Sequence, residues 1–199
     1  MNYLQPVHTE KTECQDCFKC VRHCPVKAIK VSRGSAEVVP ELCLACGHCV
    51  TVCPVGAKRV RDDRGRVRQL LAMKPRVIVS LAPSYASEFC HIPPERLAGA
   101  LRQLGFWAVS ETALGAEQVS AHVAAELRRD PTPRLMISSA CPAAVDLLRK
   151  YYPRLVPALT DVLSPVLAHA RWLRQQYGQD IGIVFIGPCV AKKREADEH

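Results

Sequence analysis

CQDCFKCVRHCP at residues 14–25 and CLACGHCVTVCP at residues 43–54 are two copies of one unit. Cys14, Cys17, Cys20 and Cys24 recur 29 positions later as Cys43, Cys46, Cys49 and Cys53. A proline follows the fourth cysteine each time (Pro25, Pro54), and a valine follows the proline (Val26, Val55). This repetition predicts two short units related by a pseudo-two-fold axis. Zinc knuckles and a disulfide framework are the competing readings. Zinc sites usually pair C-x2-C units across a longer gap, and four thiols at this spacing do not suit one tetrahedron. Disulfides conflict with the expected compartment. The N-terminus MNYLQPVHTEKTEC lacks a basic-then-apolar stretch, and no apolar run approaches the ~18–20 residues that span a bilayer. A reducing cytoplasm is therefore expected, where thiols bind metals more often than they pair.

Each copy reads C-x2-C-x2-C-x3-C-P and resembles the bacterial two-cluster ferredoxin. In that pattern three cysteines at i, i+3 and i+6 wrap one 4Fe–4S cubane, and the fourth ligates the cubane of the other copy. The resemblance implies Cys14, Cys17, Cys20 and Cys53 on the first cluster. It implies Cys24, Cys43, Cys46 and Cys49 on the second. Pro25 and Pro54 redirect the chain and offer no N–H there. Gly47 leaves room for close backbone approach. A segment this short holds few large apolar residues, so two clusters act as staples and folding is coupled to metal binding. The role that goes with adjacent cubanes is relay of single electrons. His8, His23 and His48 lie near this region, either simply solvated or tuning a cluster by hydrogen bonding.

Outward from the repeat, the chain has 199 residues, 11 of them cysteine, with 48% hydrophobic and 23% charged residues and a net charge of +8. That is globular composition and excludes a disordered chain. The surplus concentrates in KRVRDDRGRVRQLLAMKPR (58–76), with 8 basic and 2 acidic residues. Polar, with Gly65 inside and Pro75 near its end, the stretch reads as a linker or exit strand. The expected organisation is an α+β ferredoxin-like domain over 1–65, a basic linker over 66–76, and an α/β domain with a parallel sheet over 77–199. Without aromatic residues to stack bases, 58–76 does not suit nucleic acid. It reads either as solvated or as a docking face for an acidic redox partner protein, such as a ferredoxin or another carrier.

From residue 76 strands and helices alternate. Strands are expected at 76–82, 106–110, 134–138 and 181–187, and helices at 93–105, 115–129, 142–152 and 164–178. Strands separated by helices imply crossovers and a parallel sheet. Cys141 then follows the third strand and Cys189 the fourth, on the carboxyl rim where such sheets bind ligands. Both a shared metal site and two structural cysteines fit that placement.

ISSACPAAVDLLRKYYPRL (137–155) and FIGPCVAKKREA (185–196) resemble the first and second active-site motifs of iron-only (FeFe) hydrogenases. LAPSYA (81–86), PPERLAGALRQLGFWAV (93–109), GAEQVSAHVAAEL (115–127) and LTDVLSPVLAHAR (159–171) follow in matching order. The resemblance covers about residues 76–198. It implies an active centre with a third 4Fe–4S cubane joined through a cysteine to a two-iron unit. Cys141 and Cys189 would be two cubane ligands, and Pro83, Ser84 and Lys192 would surround the diatomic ligands. The alternative for Lys192, Lys193 and Arg194 is a solvated basic run. Departures from the family pattern are Ala140 for a cysteine, Val123 for a glutamate with Glu126 retained, Gly187 for a methionine and Ala144 for a tryptophan. Val and Ala cannot carry protons. The third motif is not reached before His199, and Cys90 is the only spare thiol, so these 199 residues alone are expected to be an incomplete, inactive part of a hydrogenase. The implied function is electron transfer to or from a hydrogenase-like site, in hydrogen sensing or slow turnover. The alternative is a non-catalytic ferredoxin-type carrier with a degenerate hydrogenase-like domain.

Overall fold

The computed structural model describes residues 5–130, 132 and 135–199. The chain divides into two compact units. One comprises the chain through Asp62 together with Cys141–Pro157 and Cys189–His199, and the other comprises Asp63–Ala140 and Ala158–Pro188.

The first unit contains two antiparallel strand pairs. β1 (Val7–Thr9) pairs with β4 (Lys58–Val60), and β2 (Ile29–Ser32) with β3 (Ser35–Val38). Arg33 and Gly34 turn the second hairpin with φ of 51° and 71°, the positive pair that a two-residue turn of matching twist requires. Helices α1 (Lys19–His23) and α2 (His48–Thr51) each begin between the second and third cysteines of their copy or at the residue just before the third. The repeat is also written in the backbone. Asp16, Phe18 and Lys27 have φ of 49°, 59° and 53°, and their counterparts Ala45, Gly47 and Gly56 have 53°, 79° and 68°. Most of these are not glycine, so the left-handed conformation is imposed by the loop at a local cost. One core cluster comprises Cys20, Cys24, Ala28, Ile29 and Ala36, with Cys14, Cys43, Cys49 and three valines against it, and Val7, Leu44, Ala45, Ala57 and Leu148 are buried besides.

The other unit is built on a parallel sheet of order β6-β5-β7, with β5 (Val77–Leu81), β6 (Ala108–Glu111) and β7 (Gly182–Ile186). β5 is buried along its whole length, as a central parallel strand covered on both faces should be. Val77, Val79, Leu81 and Phe106 form one core cluster, and Ile78, Leu173 and Ile181 a second. Around the sheet lie α3 (Arg64–Met73), α4 (Tyr85–Glu88), α5 (Pro94–Gln103), α6 (Ala113–Arg129) and α8 (Pro165–Tyr177). Pro94 opens α5, and the Ser164 hydroxyl caps α8 by accepting from the Leu167 N–H at 3.4 Å, a common N-terminal device.

Two expectations change. The stretch 66–76, read as a linker, is largely helical, since α3 spans Arg64–Met73. Its Val67, Leu70 and Leu71 pack on the Val77 cluster. That i, i+3, i+4 stripe was obscured by the charges around it. The third strand, 134–138, is absent over its described residues, Arg134 lying outside them. Ile137 instead makes an isolated parallel bridge to Leu159, with the Ile137 N–H donating to the Ala158 carbonyl at 2.7 Å. A short apolar run with no further length behind it does not specify a sheet position. Among the described residues, no helix is long and apolar enough to cross a membrane.

Candidate metal centre

All eleven cysteines are free thiols. Two cavities lie in the repeat segment. One is lined by Cys14, Cys17, Cys20 and Cys53, the other by Cys24, Cys43, Cys46 and Cys49. Each therefore gathers three cysteines of one copy and the fourth of the other. Among the described residues, no three His, Cys, Asp or Glu side chains converge on a single-ion site. The thiols surround a volume rather than a point, which suits a cubane.

The surroundings suit an anionic group. Paired right- and left-handed residues turn successive N–H groups toward a concavity, a form shared by many phosphate and iron–sulfur sites. The Ala28 N–H donates to Cys24 Sγ at 3.2 Å, and the Ala45 N–H to Cys43 Sγ at 3.3 Å. Backbone donors at Ala36 and Asp16 hold the Cys14 thiol below its ordinary range. The buried Ser35 hydroxyl beside it acts in the same direction. Burial acts the other way on Cys20, whose thiol it pushes up, and on Cys49, pushed up to about 11. Loading such thiols releases protons, so metal binding must be strong enough to displace them. These residues fit two 4Fe–4S clusters.

Cys141 is the N-cap of α7 (Pro142–Tyr151), and Cys189 stands two residues before α9 (Ala191–Glu198). Both thiols are exposed and both belong to the first unit. With the third strand absent, Cys141 does not sit on a sheet rim as expected. Instead the two helices that follow these cysteines are tied by the Arg194–Asp146 ion pair. The same helices hold the second cysteine loop. Lys150 Nζ and Arg194 Nη1 both donate to the Cys43 carbonyl, at 2.8 and 3.0 Å, and the Tyr151 hydroxyl donates to the Leu42 carbonyl at 2.9 Å. Gly47 is held against Val190: a Cβ there would stand 2.9 Å from Val190 Cγ2. The room that Gly47 provides thus serves the segment after Cys189.

Lys192 is buried and its Nζ donates to Glu195 Oε2 at 2.8 Å. With Arg194 paired to Asp146, the run 192–194 is not a uniformly solvated one. Pro83 and Ser84 are exposed in the other unit, just beyond β5, with Ser84 as N-cap of α4. Cys90 is exposed in that unit too. Gly187 has no room for a side chain: a Cβ there would be 2.7 Å from both Ala82 Cβ and Phe185 Cζ. A methionine at that position would require Ala82 and Phe185 to move. His23 and His48 are exposed and face each other, ring centroids 5.9 Å apart. His8 pairs with Glu10.

The basic surplus of 58–76 is mostly engaged within its own unit. Arg59 grips Glu13 with two contacts of 2.6 and 2.8 Å, Arg61 pairs with Asp197, Lys74 with Asp180, and Arg76 lies over the Trp107 ring. Sequence reasoning missed Lys58. It is 2% exposed, with Nζ donating to the Ala36 carbonyl at 2.7 Å and to Thr9 Oγ1 at 2.5 Å. The available signal was the repeat itself, which aligns Lys58 with Ile29. Asp146, Lys150 and Tyr151 were also missed, because nothing local in a helix announces that it will hold a distant loop.

Two family models match the chain. Residues 72–199 match the iron-only hydrogenase large subunit, C-terminal domain, and residues 13–57 match a 4Fe-4S dicluster domain. The periplasmic Fe hydrogenase large subunit of Nitratidesulfovibrio vulgaris is 27% identical over 96% of this chain and 51% of its own length. Iron hydrogenase 1 of Clostridium pasteurianum is 30% identical over 64% of this chain and 24% of its own. The cytosolic Fe-S cluster assembly factor nar1 of Aspergillus terreus is 26% identical over 96% of this chain and 37% of its own. Among solved structures, a variant of the FeFe-hydrogenase HydA1 from Chlamydomonas reinhardtii is 32% identical, with a TM-score of 0.57 over 66% of this chain and 39% of the other. The chain spans about half or less of the curated relatives it matches. It belongs to the iron-only hydrogenase large subunit family.

Proposed function

We propose that the first unit holds two 4Fe–4S clusters, one on Cys14, Cys17, Cys20 and Cys53 and one on Cys24, Cys43, Cys46 and Cys49, in a ferredoxin-like fold. The protein then passes single electrons to or from a hydrogenase-like site that includes Cys141 and Cys189. The observation that carries this reading is the pair of cavities, each lined by three cysteines of one copy and one of the other. When bound, each cubane supplies a one-electron couple. The chain's residues do the rest. N–H groups at Ala28 and Ala45 donate to cysteine sulfurs, and Lys150, Arg194 and Tyr151 fix the second loop against the helices that follow Cys141 and Cys189.

Anaerobic loading tests the relay: about eight irons per chain, with two reducible signals by electron paramagnetic resonance, is the expected result. Colourless protein, or protein holding zinc, overturns it. The hydrogenase-like site has a separate test. Infrared bands from CO and CN⁻ after maturation support a two-iron unit near Pro83, Ser84 and Lys192, and their absence leaves the relay alone. The relay without that unit is the second reading, as a carrier or as an iron–sulfur assembly protein. The filled space at Gly187 favours it, and nar1, a relative over 96% of the chain, is named as an assembly factor. A reducing cytoplasm and an acidic redox partner belong to the same proposal. A reduction rate by such a partner that ignores salt concentration removes the docking part.

A further inference from the structure

The two cavities are near copies of each other, and one wall position breaks the symmetry. Ala28 and Ile29 line the cavity of Cys24, Cys43, Cys46 and Cys49. Their repeat partners Ala57 and Lys58 line the cavity of Cys14, Cys17, Cys20 and Cys53. A buried isoleucine in one site is therefore a buried lysine in the other, at 7% and 2% exposure. Burying an ammonium is costly unless it is compensated. Here the hydrogen-bond partners are neutral, the Thr9 hydroxyl and the Ala36 carbonyl. Among the described residues, no carboxylate pairs with Lys58. Its charge is left for the cavity that it lines with Cys14, Cys17, Cys20 and Cys53.

We propose that Lys58 is a positioning residue for electrons: its buried charge raises the reduction potential of the cluster on Cys14, Cys17, Cys20 and Cys53 above that of its near twin. The inference rests on the cluster reading given above. Cluster potentials respond to nearby charge, hydrogen bonds and solvent exposure. A cubane becomes more negative on reduction, so a fixed cation in the wall stabilises the reduced form. Lys58 lines the first cavity and not the second, where Ile29 takes its place, so the shift is unequal. The pair then forms a step rather than a level path, with the electron resting on the first cluster.

The test is a redox titration of the anaerobically loaded full chain, followed by electron paramagnetic resonance, on wild type and Lys58→Ile. The variant copies the other wall. Wild type is expected to show two separated midpoints. In the variant the higher one falls by about tenfold in the reduction equilibrium, about 59 mV for one electron, and the lower one moves less. Iron content stays the same. If Lys58→Ile does not load, Lys58→Gln keeps a donor toward Thr9 and Ala36 and removes the charge, and it carries the same expectation. Two couples in wild type with unshifted midpoints in the variant overturn the role of Lys58 alone. A wild-type protein without two couples overturns the cluster reading with it.

Discussion

The two units solve the problem of a core with different materials. In the first, the buried core cluster is two cysteines, two alanines and Ile29, and Val7, Leu44 and Leu148 are the other large apolar residues buried there. In the second it is Val77, Ile78, Val79, Leu81, Phe106, Leu173 and Ile181. Burial of a large aliphatic or aromatic side chain contributes about 1.5–3 kcal/mol, and only the second unit has many of them. The thiols of the first surround two cavities rather than filling them. On the proposed cluster reading, metal takes the place of hydrocarbon there, as in other small domains.

The largest expected effect separates the units by withholding iron. Hydrogen exchange of metal-free protein should show β2 and β3 amides exposed while β5 amides stay protected, since binding and folding are coupled only in the first unit. Equal protection in both units would break the comparison. The reverse experiment is Ile78→Ala. Ile78 is 1% exposed within its cluster, and such truncations cost about 2–5 kcal/mol. Denaturant unfolding should register that loss in the second unit, with the iron content of the folded protein unchanged.

The same contrast explains what was legible in the sequence. Cysteine spacing is a short-range signal, and the resemblance to two-cluster ferredoxins that it carries groups the thiols as the two cavities do. β5, β6 and β7 were also readable, because apolar runs bounded by glycine and proline carry their own period. Residues 134–138 have the same local composition, yet among the described ones Ile137 bridges Leu159 and none joins the sheet. The charges of 58–76 hid both a helix and a buried lysine, because charge predicts exposure and only tertiary structure supplies the neutral acceptors at Thr9 and Ala36. The grip of Lys150 and Arg194 on Cys43 spans more than a hundred residues of chain, and no local pattern encodes it.

Gly47→Ala is the next effect in size. Phe18 occupies the equivalent position with φ of 59°, so the backbone there tolerates a side chain. What separates the copies is Val190, 2.9 Å from the added Cβ. The substitution should cost about 1–3 kcal/mol in the unfolding of the first unit, from strain and overpacking together. Pairing it with Val190→Ala should recover part of the loss in a double-mutant cycle. Additive losses would mean that the left-handed backbone, and not the contact, is what requires glycine.

The smallest effect is a pH dependence confined to the second unit. His169 is fully buried, between Ser80 Oγ at 2.8 Å from Nδ1 and Ser110 Oγ at 2.9 Å from Nε2. Burial lowers its pKa from the ordinary 6.5. The unfolded chain then binds this proton more readily than the folded one, so stability rises with pH across the interval between the two values. The contribution is fully present above about pH 6.5 and is lost as pH falls toward the depressed value. Unfolding of wild type followed from pH 8 to pH 5 should show that decline in the second unit, and His169→Gln should flatten it. The slope belongs to this unit because its polar groups were buried with partners already in place: Ser80 also bonds Thr112 Oγ1 at 2.8 Å. A neutral imidazole satisfies that network, and an added proton brings a charge into it with no carboxylate among its hydrogen-bond partners.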